Sequence, residues 1–230
     1  MTDNEKLEQQ LLRIGAFWRH PGNPDVPHAL LASGMHSDGF LNLSILASYP
    51  RILREFTEIL AAKFRERIEL KDIFENPRDC WFIGSAMGAI PVALQLAEQL
   101  NFRAGYAEKT VDGKMNFDRY ECERERIKKI LIVEDVLTTG STTQKTLKAV
   151  EEKGLADRLL PFIGVLINRT QKNEIEFELL GEKRRFELIS TAQLYFNVWQ
   201  PDDCPLCREG SQTIKPKKQW AKLVADFIMR

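Results

Sequence analysis

The stretch that decides the fold joins an apolar run to two acids and a small, hydroxyl-rich loop: Ile130-Leu131-Ile132-Val133-Glu134-Asp135-Val136-Leu137-Thr138-Thr139-Gly140-Ser141-Thr142. The apolar run predicts a buried strand, and the residues after Gly140 predict a helix that begins at Ser141. Backbone N–H groups at a helix start, flanked by Thr and Ser hydroxyls, are suited to bind a phosphate dianion. Glu134 and Asp135 would repel that anion unless they accept hydrogen bonds from hydroxyls of the same ligand. The stretch therefore predicts a site for a sugar phosphate with a vicinal diol.

A second turn of the same kind lies one βα unit earlier in the chain. An apolar strand at 81–83 runs into Gly84-Ser85-Ala86-Met87-Gly88-Ala89-Ile90-Pro91. Small residues let the backbone approach a ligand closely, and the helix that follows directs its N-terminus at the turn. Taken alone, such a turn indicates tight packing more often than an anion site. Its place directly before the first motif favours the anion site.

Apolar strands alternate with helices from residue 80 onward. Strands are predicted at 80–83, 104–107, 130–133 and 160–167, and helices at 90–100 and 141–153. Strands that are apolar on both faces indicate an open α/β fold, in which helices cover both sides of a parallel sheet and ligands bind at the carboxyl ends of the strands. Outside this region, helices are predicted at 4–18, 50–70 and 218–229, and short strands at 29–33 and 40–43.

Composition restricts the function classes. The 230 residues are 43% hydrophobic, and Lys plus Arg equals Asp plus Glu at 33 each, so overall charge favours neither nucleic acid nor an anionic membrane as a partner. No apolar run approaches the roughly 20 residues of a membrane span, and the first residues are polar and acidic. We expect a cytoplasmic protein with a single domain over 1–230.

The string at 130–142 closely resembles the phosphoribosyl diphosphate (PRPP) motif of type I phosphoribosyltransferases. The resemblance implies that family's α/β fold, with a hood subdomain formed by about 20–48 and by 185–230. It also implies that Glu134 and Asp135 hold the ribose hydroxyls. The 5′-phosphate would be bound by Thr138, Thr139, Gly140, Ser141 and Thr142, and pyrophosphate by Ser85, Ala86, Met87 and Gly88.

Three further stretches resemble the orotate phosphoribosyltransferases, in particular a bacterial branch with a Cys-x-x-Cys tail. They are Ser-Gly-Met-His-Ser-Asp-Gly-Phe-Leu-Asn at 33–42, Ala-Glu-Lys at 107–109 with Gly-Lys-Met at 113–115 and a basic stretch to 129, and Val-Leu-Ile-Asn-Arg at 165–169. The resemblance spans about 31–207. It implies orotate contacts from His36, Phe40, Thr138 and Arg169. It also implies a catalytic set of Lys109, Arg119 and Asp135, with Lys109 on the pyrophosphate.

The resemblance implies that the chain transfers phosphoribosyl from PRPP to orotate in pyrimidine synthesis, as a homodimer. Mg²⁺ would be bound through PRPP rather than by side chains. Three departures from the family pattern affect the choice of base: Asp38-Gly39 in the hood, Asp118-Arg119 in the loop and Asn168 in place of Asp. Phosphoribosyl transfer to another nucleobase, or PRPP sensing without catalysis, are the alternatives.

The pair Cys204 and Cys207 has no assigned role in this scheme. A tetrahedral zinc site needs two more ligands, and the candidates are Cys80, Cys122, His20, His28 and His36. None of them has a zinc-knuckle spacing relative to the pair. The sequence therefore favours structural thiols, with a metal site and a redox pair as the alternatives.

Overall fold

The structure is a computed structural model that describes residues 2–228, except for the side chains at 68, 122, 222 and 225–228. The α-helices in chain order are α1 (Asp3–Arg13), α2 (Leu43–Ala47), α3 (Pro50–Arg65), α4 (Lys71–Glu75), α5 (Ala89–Leu100), α6 (Ser141–Glu152), α7 (Pro205–Arg208) and α8 (Pro216–Ile228). The strands are β1 (Phe17–Arg19), β2 (His28–Leu30), β3 (His36–Ser37), β4 (Gly39–Leu41), β5 (Cys80–Ser85), β6 (Arg103–Lys109), β7 (Met115–Asn116), β8 (Lys129–Leu137), β9 (Leu159–Asn168), β10 (Glu174–Leu179), β11 (Glu182–Gln193), β12 (Val198–Trp199) and β13 (Thr213–Ile214). Short 3-10 turns lie at Ile68–Leu70, Pro77–Asp79, Asp118–Arg126, Ala156–Arg158 and Pro201–Asp203.

The chain divides into two units. Unit 1 contains 1–49 and 194–230, and unit 2 contains 50–193. The hood stretch expected at 20–48 lies within unit 1, whereas the boundary expected at 185 falls inside β11 of unit 2. None of the helices described over 2–228 combines the length and the apolar character that crossing a bilayer requires.

Unit 2 contains a mostly parallel sheet with the strand order β10-β11-β9-β8-β5-β6-β7 in the described part of the chain. Strands β11, β9, β8, β5 and β6 run parallel, and the edge strands β10 and β7 are antiparallel to their neighbours. The open α/β class predicted from the alternation of strands and helices is confirmed.

Both faces of this sheet are covered because successive residues of its strands point to opposite sides. On one side, Ile83 and Ile132 belong to a buried cluster with Leu147 of α6. On the other side, Phe82 packs against Phe64 of α3, with ring centroids 5.5 Å apart. Full burial of each such side chain contributes about 1.5–3 kcal/mol, so the predicted buried strands are the stabilising centre of the unit.

Unit 1 is built from both ends of the chain. Strand β1 pairs with β4, and a second sheet has the order β12-β3-β2-β13 in the residues described. Its buried cluster contains Trp18 and Ala29 from the N-terminal part, and Leu223 and Val224 from α8. This core is much smaller than that of unit 2.

The main differences from the prediction are two helices that end early and several strands that were not predicted. The helix predicted at 4–18 ends at Arg13, because Gly15 adopts a left-handed φ of 69° and the chain then enters β1. The helix predicted at 50–70 ends at Arg65 and is followed by a 3-10 turn and α4. The prediction did not include β3, which pairs with β2 and β12. It also lacked β1, β12 and β13 of unit 1 and β7, β10 and β11 of unit 2. The predicted C-terminal helix corresponds to α8, although Met229 lies outside the described residues.

Candidate active site

The candidate site lies where three adjacent strands of unit 2 end. Strand β5 ends at Ser85, β8 at Leu137 and β9 at Asn168, and the three are neighbours in the order β9-β8-β5. Because parallel strands present their carboxyl ends at one edge of a sheet, the loops that follow them lie side by side. These loops carry most of the residues that the sequence singled out.

The loop between β8 and α6 has the features of an anion site. Gly140 adopts a left-handed φ of 76°, and a Cβ at this position would lie 2.8 Å from the Phe177 ring. Both the backbone angle and the lack of space therefore require glycine. The first N–H groups of α6 have no acceptor within the helix, as at every helix start. Exposed hydroxyls surround them, from Thr138, Thr139, Ser141 and Thr142. The loop can therefore bind a phosphate through N–H and O–H donors.

Glu134 lies beneath this loop, with only 3% of its surface exposed. Its Oε1 accepts hydrogen bonds from the hydroxyls of Ser85 at 2.7 Å and Thr143 at 2.8 Å. Ser85 Oγ is also 2.8 Å from Thr146 Oγ1, so a buried polar network links β5, β8 and α6. Burial raises the pKa of Glu134 to about 7; the two hydroxyl hydrogen bonds oppose that shift, and the charge of Asp135 adds to it.

Asp135 is half-buried and lies against the turn that follows β5. A Cβ at Gly88 would be 1.9 Å from Asp135 Oδ2, so the carboxylate occupies the space that any other residue at position 88 would fill. Of the residues predicted to bind pyrophosphate, Ser85 turns its hydroxyl inward to Glu134, and Met87 is 81% exposed. The turn thus offers a ligand its backbone at 86–88 rather than the Ser85 hydroxyl.

Arg169 follows β9 and adjoins the phosphate loop, because its backbone N–H donates to Leu137 O at 2.9 Å. The turn that holds Arg169 is fixed by Asn168, which is 1% exposed. Asn168 Oδ1 accepts from the backbone N–H and the hydroxyl of Thr170, and its Nδ2 donates to Lys172 O at 2.8 Å. Thr138 and half-buried Arg169 therefore lie at neighbouring strand ends, as predicted for residues that share a ligand.

The predicted catalytic cations lie at the end of β6 and in the turns after it. Lys109 is exposed at the last position of β6. Arg119 donates to Glu108 Oε1 at 2.6 and 3.1 Å, and this hydrogen bond raises the arginine's pKa above its ordinary value. Asp118, the anion that departs from the family pattern, is 2.5 Å from Nζ of Lys153, the residue directly after α6. Arg119 is thus held by Glu108 rather than extended toward the phosphate loop.

The hood residues have different neighbours from those expected. His36 is 8% exposed and directs Nδ1 toward His28 and Cys207 instead of outward. Phe40 packs on Trp220, with ring centroids 5.6 Å apart. The contact of His36 with orotate therefore stays a prediction, and the described contacts of this ring are with His28 and Cys207.

The departures at 38–39 are explained within unit 1. Asp38 accepts hydrogen bonds from the backbone and side-chain N–H groups of Asn197 at 2.7 and 2.8 Å. A Cβ at Gly39 would lie 2.5 Å from the Phe196 ring, so glycine makes room for an aromatic ring from the C-terminal segment. Asp38 and Gly39 are therefore adapted to residues 196–197.

The sequence reasoning missed Thr143 and Thr146, which complete the Glu134 network. They lie three residues apart on the face of α6 that also carries the buried Leu147 and Val150. Two hydroxyl residues on an otherwise apolar helix face are a signal that a buried acceptor lies opposite.

The chain resembles known proteins over most of its length. It is 31% identical over 190 residues to the orotate phosphoribosyltransferase of Caldanaerobacter subterraneus subsp. tengcongensis, covering 82% of this chain and 87% of that protein. It is 31% identical over 196 residues to the enzyme of the same name from Caldicellulosiruptor saccharolyticus, covering 85% and 90%. For the Nitratiruptor sp. relative, also an orotate phosphoribosyltransferase, the identity is 32% over 194 residues, covering 82% and 90%. No protein-family model matches the chain.

Solved structures show the same fold. The orotate phosphoribosyltransferase of Aeropyrum pernix superposes with a TM-score of 0.55 at 21% identity, covering 82% of this chain and 93% of that one. UMP synthase of Leishmania donovani gives a TM-score of 0.53 at 18% identity, covering 98% of this chain and 42% of that one.

Proposed function

The chain belongs to the orotate phosphoribosyltransferase family, and on that basis we propose that it transfers the 5-phosphoribosyl group of PRPP to orotate, giving orotidine 5′-monophosphate and pyrophosphate. One observation in the structure supports this most. The ends of β5, β8 and β9 bring together a hydroxyl-rich anion loop, the Asp135 carboxylate and the residue Arg169. A phosphate, a ribose diol and a carboxylated base require these three kinds of group.

Binding of the 5′-phosphate is assigned to the loop from Thr138 to Thr142. The donors of this loop are already oriented before the phosphate binds, because the start of α6 and the left-handed Gly140 fix the backbone that carries them. Asp135, at the end of β8, accepts hydrogen bonds from the ribose hydroxyls. The same role for Glu134 stays a prediction, because its Oε1 already accepts from Ser85 and Thr143.

The leaving pyrophosphate is assigned to the backbone at 86–88 and to the cations Lys109, Arg119 and Lys114. As the bond from C1′ to the diphosphate breaks, negative charge grows on the leaving group, and cations placed there lower the barrier. Arg119 can exchange its hydrogen bond to Glu108 for one to a phosphate at little cost, because an exposed ion pair contributes little to stability.

Orotate is assigned to Thr138 and Arg169. A guanidinium forms a two-pronged, charge-assisted hydrogen bond with a carboxylate, which fixes the plane of the base as well as its position. That placement holds the attacking nitrogen in line with C1′. The resemblance adds Phe40, which in this chain packs on Trp220 within unit 1.

Mg²⁺ is part of the proposal and fits the donors of the site. The described groups around the strand ends include carboxylate and hydroxyl oxygens, and Mg²⁺ prefers oxygen ligands. Asp135 is the nearest carboxylate to the phosphate loop in sequence and would hold the ion through the ribose hydroxyls. When bound, Mg²⁺ neutralises charge on the diphosphate.

The test is to mix the protein with PRPP, Mg²⁺ and orotate and to follow the ultraviolet absorbance of orotate. We expect turnover that requires all three and that falls at least tenfold in Asp135→Asn, with the melting temperature retained. Asp157→Asn changes an exposed acid outside the candidate site. It is the matched control and should keep full activity. Stabilisation by PRPP without turnover of orotate would instead indicate another base or a PRPP sensor.

Arg169→Ala separates the base from the sugar phosphate. We expect its KM for orotate to rise at least tenfold while its KM for PRPP changes little, because the guanidinium is assigned to the base carboxylate alone. An equal rise in the KM for PRPP would mean that Arg169 contacts the phosphate instead of the base. The proposal also includes a cytoplasmic homodimer. Light scattering during gel filtration would test the dimer, because it measures the molar mass of the protein in solution.

A further inference from the structure

Four side chains that the proposed reaction does not need converge in unit 1. His28, His36, Cys204 and Cys207 place one nitrogen or sulfur atom each within 4.8 Å of one another. His28 Nε2 is 3.2 Å from His36 Nδ1 and 3.5 Å from the sulfurs of both cysteines. His36 Nδ1 is 3.3 Å from Cys207 Sγ. The chain brings these atoms together across as many as 179 positions of sequence.

Four of the six spacings among these atoms match the edges of a tetrahedron around one metal ion, and the other two lie within 4.8 Å. Zinc binds nitrogen at about 2.0–2.1 Å and thiolate sulfur at about 2.3 Å, so tetrahedral geometry places two nitrogens about 3.3 Å apart and nitrogen and sulfur about 3.6 Å apart. The observed distances of 3.2 Å and of 3.3–3.5 Å agree with these values within a few tenths of an ångström. Two imidazoles and two thiolates are also a ligand set that zinc forms in proteins.

The orientation of His28 supports metal binding. The Ser211 hydroxyl donates its hydrogen to Val26 O at 2.8 Å. Ser211 Oγ therefore accepts from His28 Nδ1–H at 2.9 Å. Nε2 of His28 then carries no hydrogen and directs its lone pair into the cluster. A hydrogen bond on the far ring nitrogen is the usual way in which a protein orients a histidine for a metal.

The surrounding backbone explains why the four groups meet. Leu30 of β2 pairs with His36 of β3, and His28 lies two residues before Leu30, so both imidazoles project from one face of the sheet. Strand β13 pairs with β2 and holds the segment that precedes it, in which Cys204 and Cys207 flank the start of α7. Cys204 is fully buried, which suits a structural ligand better than a reactive thiol.

We propose that His28, His36, Cys204 and Cys207 bind one structural zinc ion, which ties the β2–β3 hairpin to the C-terminal segment. The four protein ligands complete a tetrahedral shell and leave no open position, so the ion has no part in the reaction. The small core of unit 1 comes from two distant parts of the chain, a situation in which a metal link adds stability. His36 is then a ligand that fixes the hood motif.

The first experiment measures metal in the full-length protein, prepared without a polyhistidine tag and analysed by mass spectrometry for metals. We expect about one zinc per chain in the native protein, in keeping with one closed four-ligand site. The variants Cys204→Ser/Cys207→Ser and His28→Gln should retain at least tenfold less zinc. Cys80→Ala and His20→Asn, a buried cysteine and a neighbouring histidine outside the cluster, are the matched controls and should keep it.

A second measurement covers the case in which the variants fail to fold. The native protein is stripped with a chelator and titrated with Co²⁺, which gives the intense visible absorption of tetrahedral thiolate ligation if the site exists. Zinc should displace the cobalt and raise the melting temperature by several degrees, with Mg²⁺ present throughout. These readouts need neither PRPP nor orotate, so their result is separate from that of the activity assay.

Two results would overturn the zinc site. If the native protein binds neither zinc nor cobalt and both thiols react with an alkylating reagent regardless of added metal, the pair is made of ordinary thiols. If mass spectrometry finds Cys204 and Cys207 joined by a disulfide in the native protein, the pair is a redox or covalent element instead.

Discussion

At the scale of single residues, the titration of Glu134 links the site to stability. The pKa of Glu134 is raised by burial from an ordinary 4.5 to about 7, so the folded protein holds this proton more tightly than the unfolded chain does. The proton's contribution to stability is complete below pH 4.5 and is lost as the pH rises through 7, a change of up to about 3 kcal/mol.

Glu134→Gln should remove this pH dependence. The amide oxygen of glutamine can still accept from Ser85 and Thr143, and it carries no charge that burial penalises. We expect the stability difference between the variant and the native protein to shift by about 2–3 kcal/mol in favour of the variant as the pH is raised from acidic to mildly alkaline. Urea unfolding of both proteins at the two pH values measures this difference. A constant gap would mean that folding does not raise the pKa of Glu134.

Gly88→Ala tests the close contact with Asp135. The new Cβ would lie 1.9 Å from Asp135 Oδ2, and the flexible end of that side chain must move away. Because position 88 is exposed and has an ordinary helical backbone, we expect a change in stability within about 0.5 kcal/mol. We expect kcat/KM for PRPP to fall at least tenfold.

The double variant Gly88→Ala/Asp135→Asn serves as its control. If both changes act on the same carboxylate, the second adds little to the first, and the two effects are far from additive. Fully additive losses would show that Gly88 acts independently of Asp135.

At the scale of elements, the turn after β9 depends on the amide of Asn168. The family residue at this position is Asp, yet Asn168→Asp should destabilise this chain. A carboxylate keeps the two acceptor contacts with Thr170 but cannot donate to Lys172 O, and it places two oxygens 2.8 Å apart in a buried position. We expect a loss of about 1–3 kcal/mol.

The destabilisation by Asn168→Asp should increase as the pH rises and the new carboxyl ionises, because only the protonated carboxyl can donate to Lys172 O. Thermal unfolding at acidic and neutral pH measures it. Asn76→Asp, at an exposed position, is the matched control and should change stability by less than about 0.5 kcal/mol. An unchanged melting temperature at neutral pH would show that the turn does not need the Asn168 amide.

At the scale of the whole molecule, the equal numbers of acidic and basic residues determine behaviour in solution. With 33 of each, the formal net charge is zero at pH 7, where repulsion between molecules is weakest. We expect solubility to be lowest near neutral pH and to rise several-fold on either side. Precipitation by polyethylene glycol at acidic, neutral and alkaline pH measures it, and a steady trend across that range would contradict the expectation.

The two units differ in how well the sequence predicted them. In unit 2 the strands β5, β6, β8 and β9 and the loops at their carboxyl ends follow from local patterns, since apolar runs and helix starts are set within a few residues, whereas β7, β10 and β11 were not predicted. In unit 1 the elements are short, and β3 is only two residues long, so no periodicity could reveal it. The positions of such strands depend on partners elsewhere in the chain.

The sequence by itself determined the α/β class and the phosphate loop at 138–142, because a strand, a turn and a helix start are contiguous there and their chemistry is local. Only the tertiary structure decided that Glu134 turns inward to Ser85 and Thr143, and that Arg119 pairs with Glu108. It alone brought His28 and His36 to Cys204 and Cys207, against the preference for ordinary thiols. The physical reason is that ligands far apart in sequence leave no spacing pattern, and contact between them is created only when the two ends of the chain fold together.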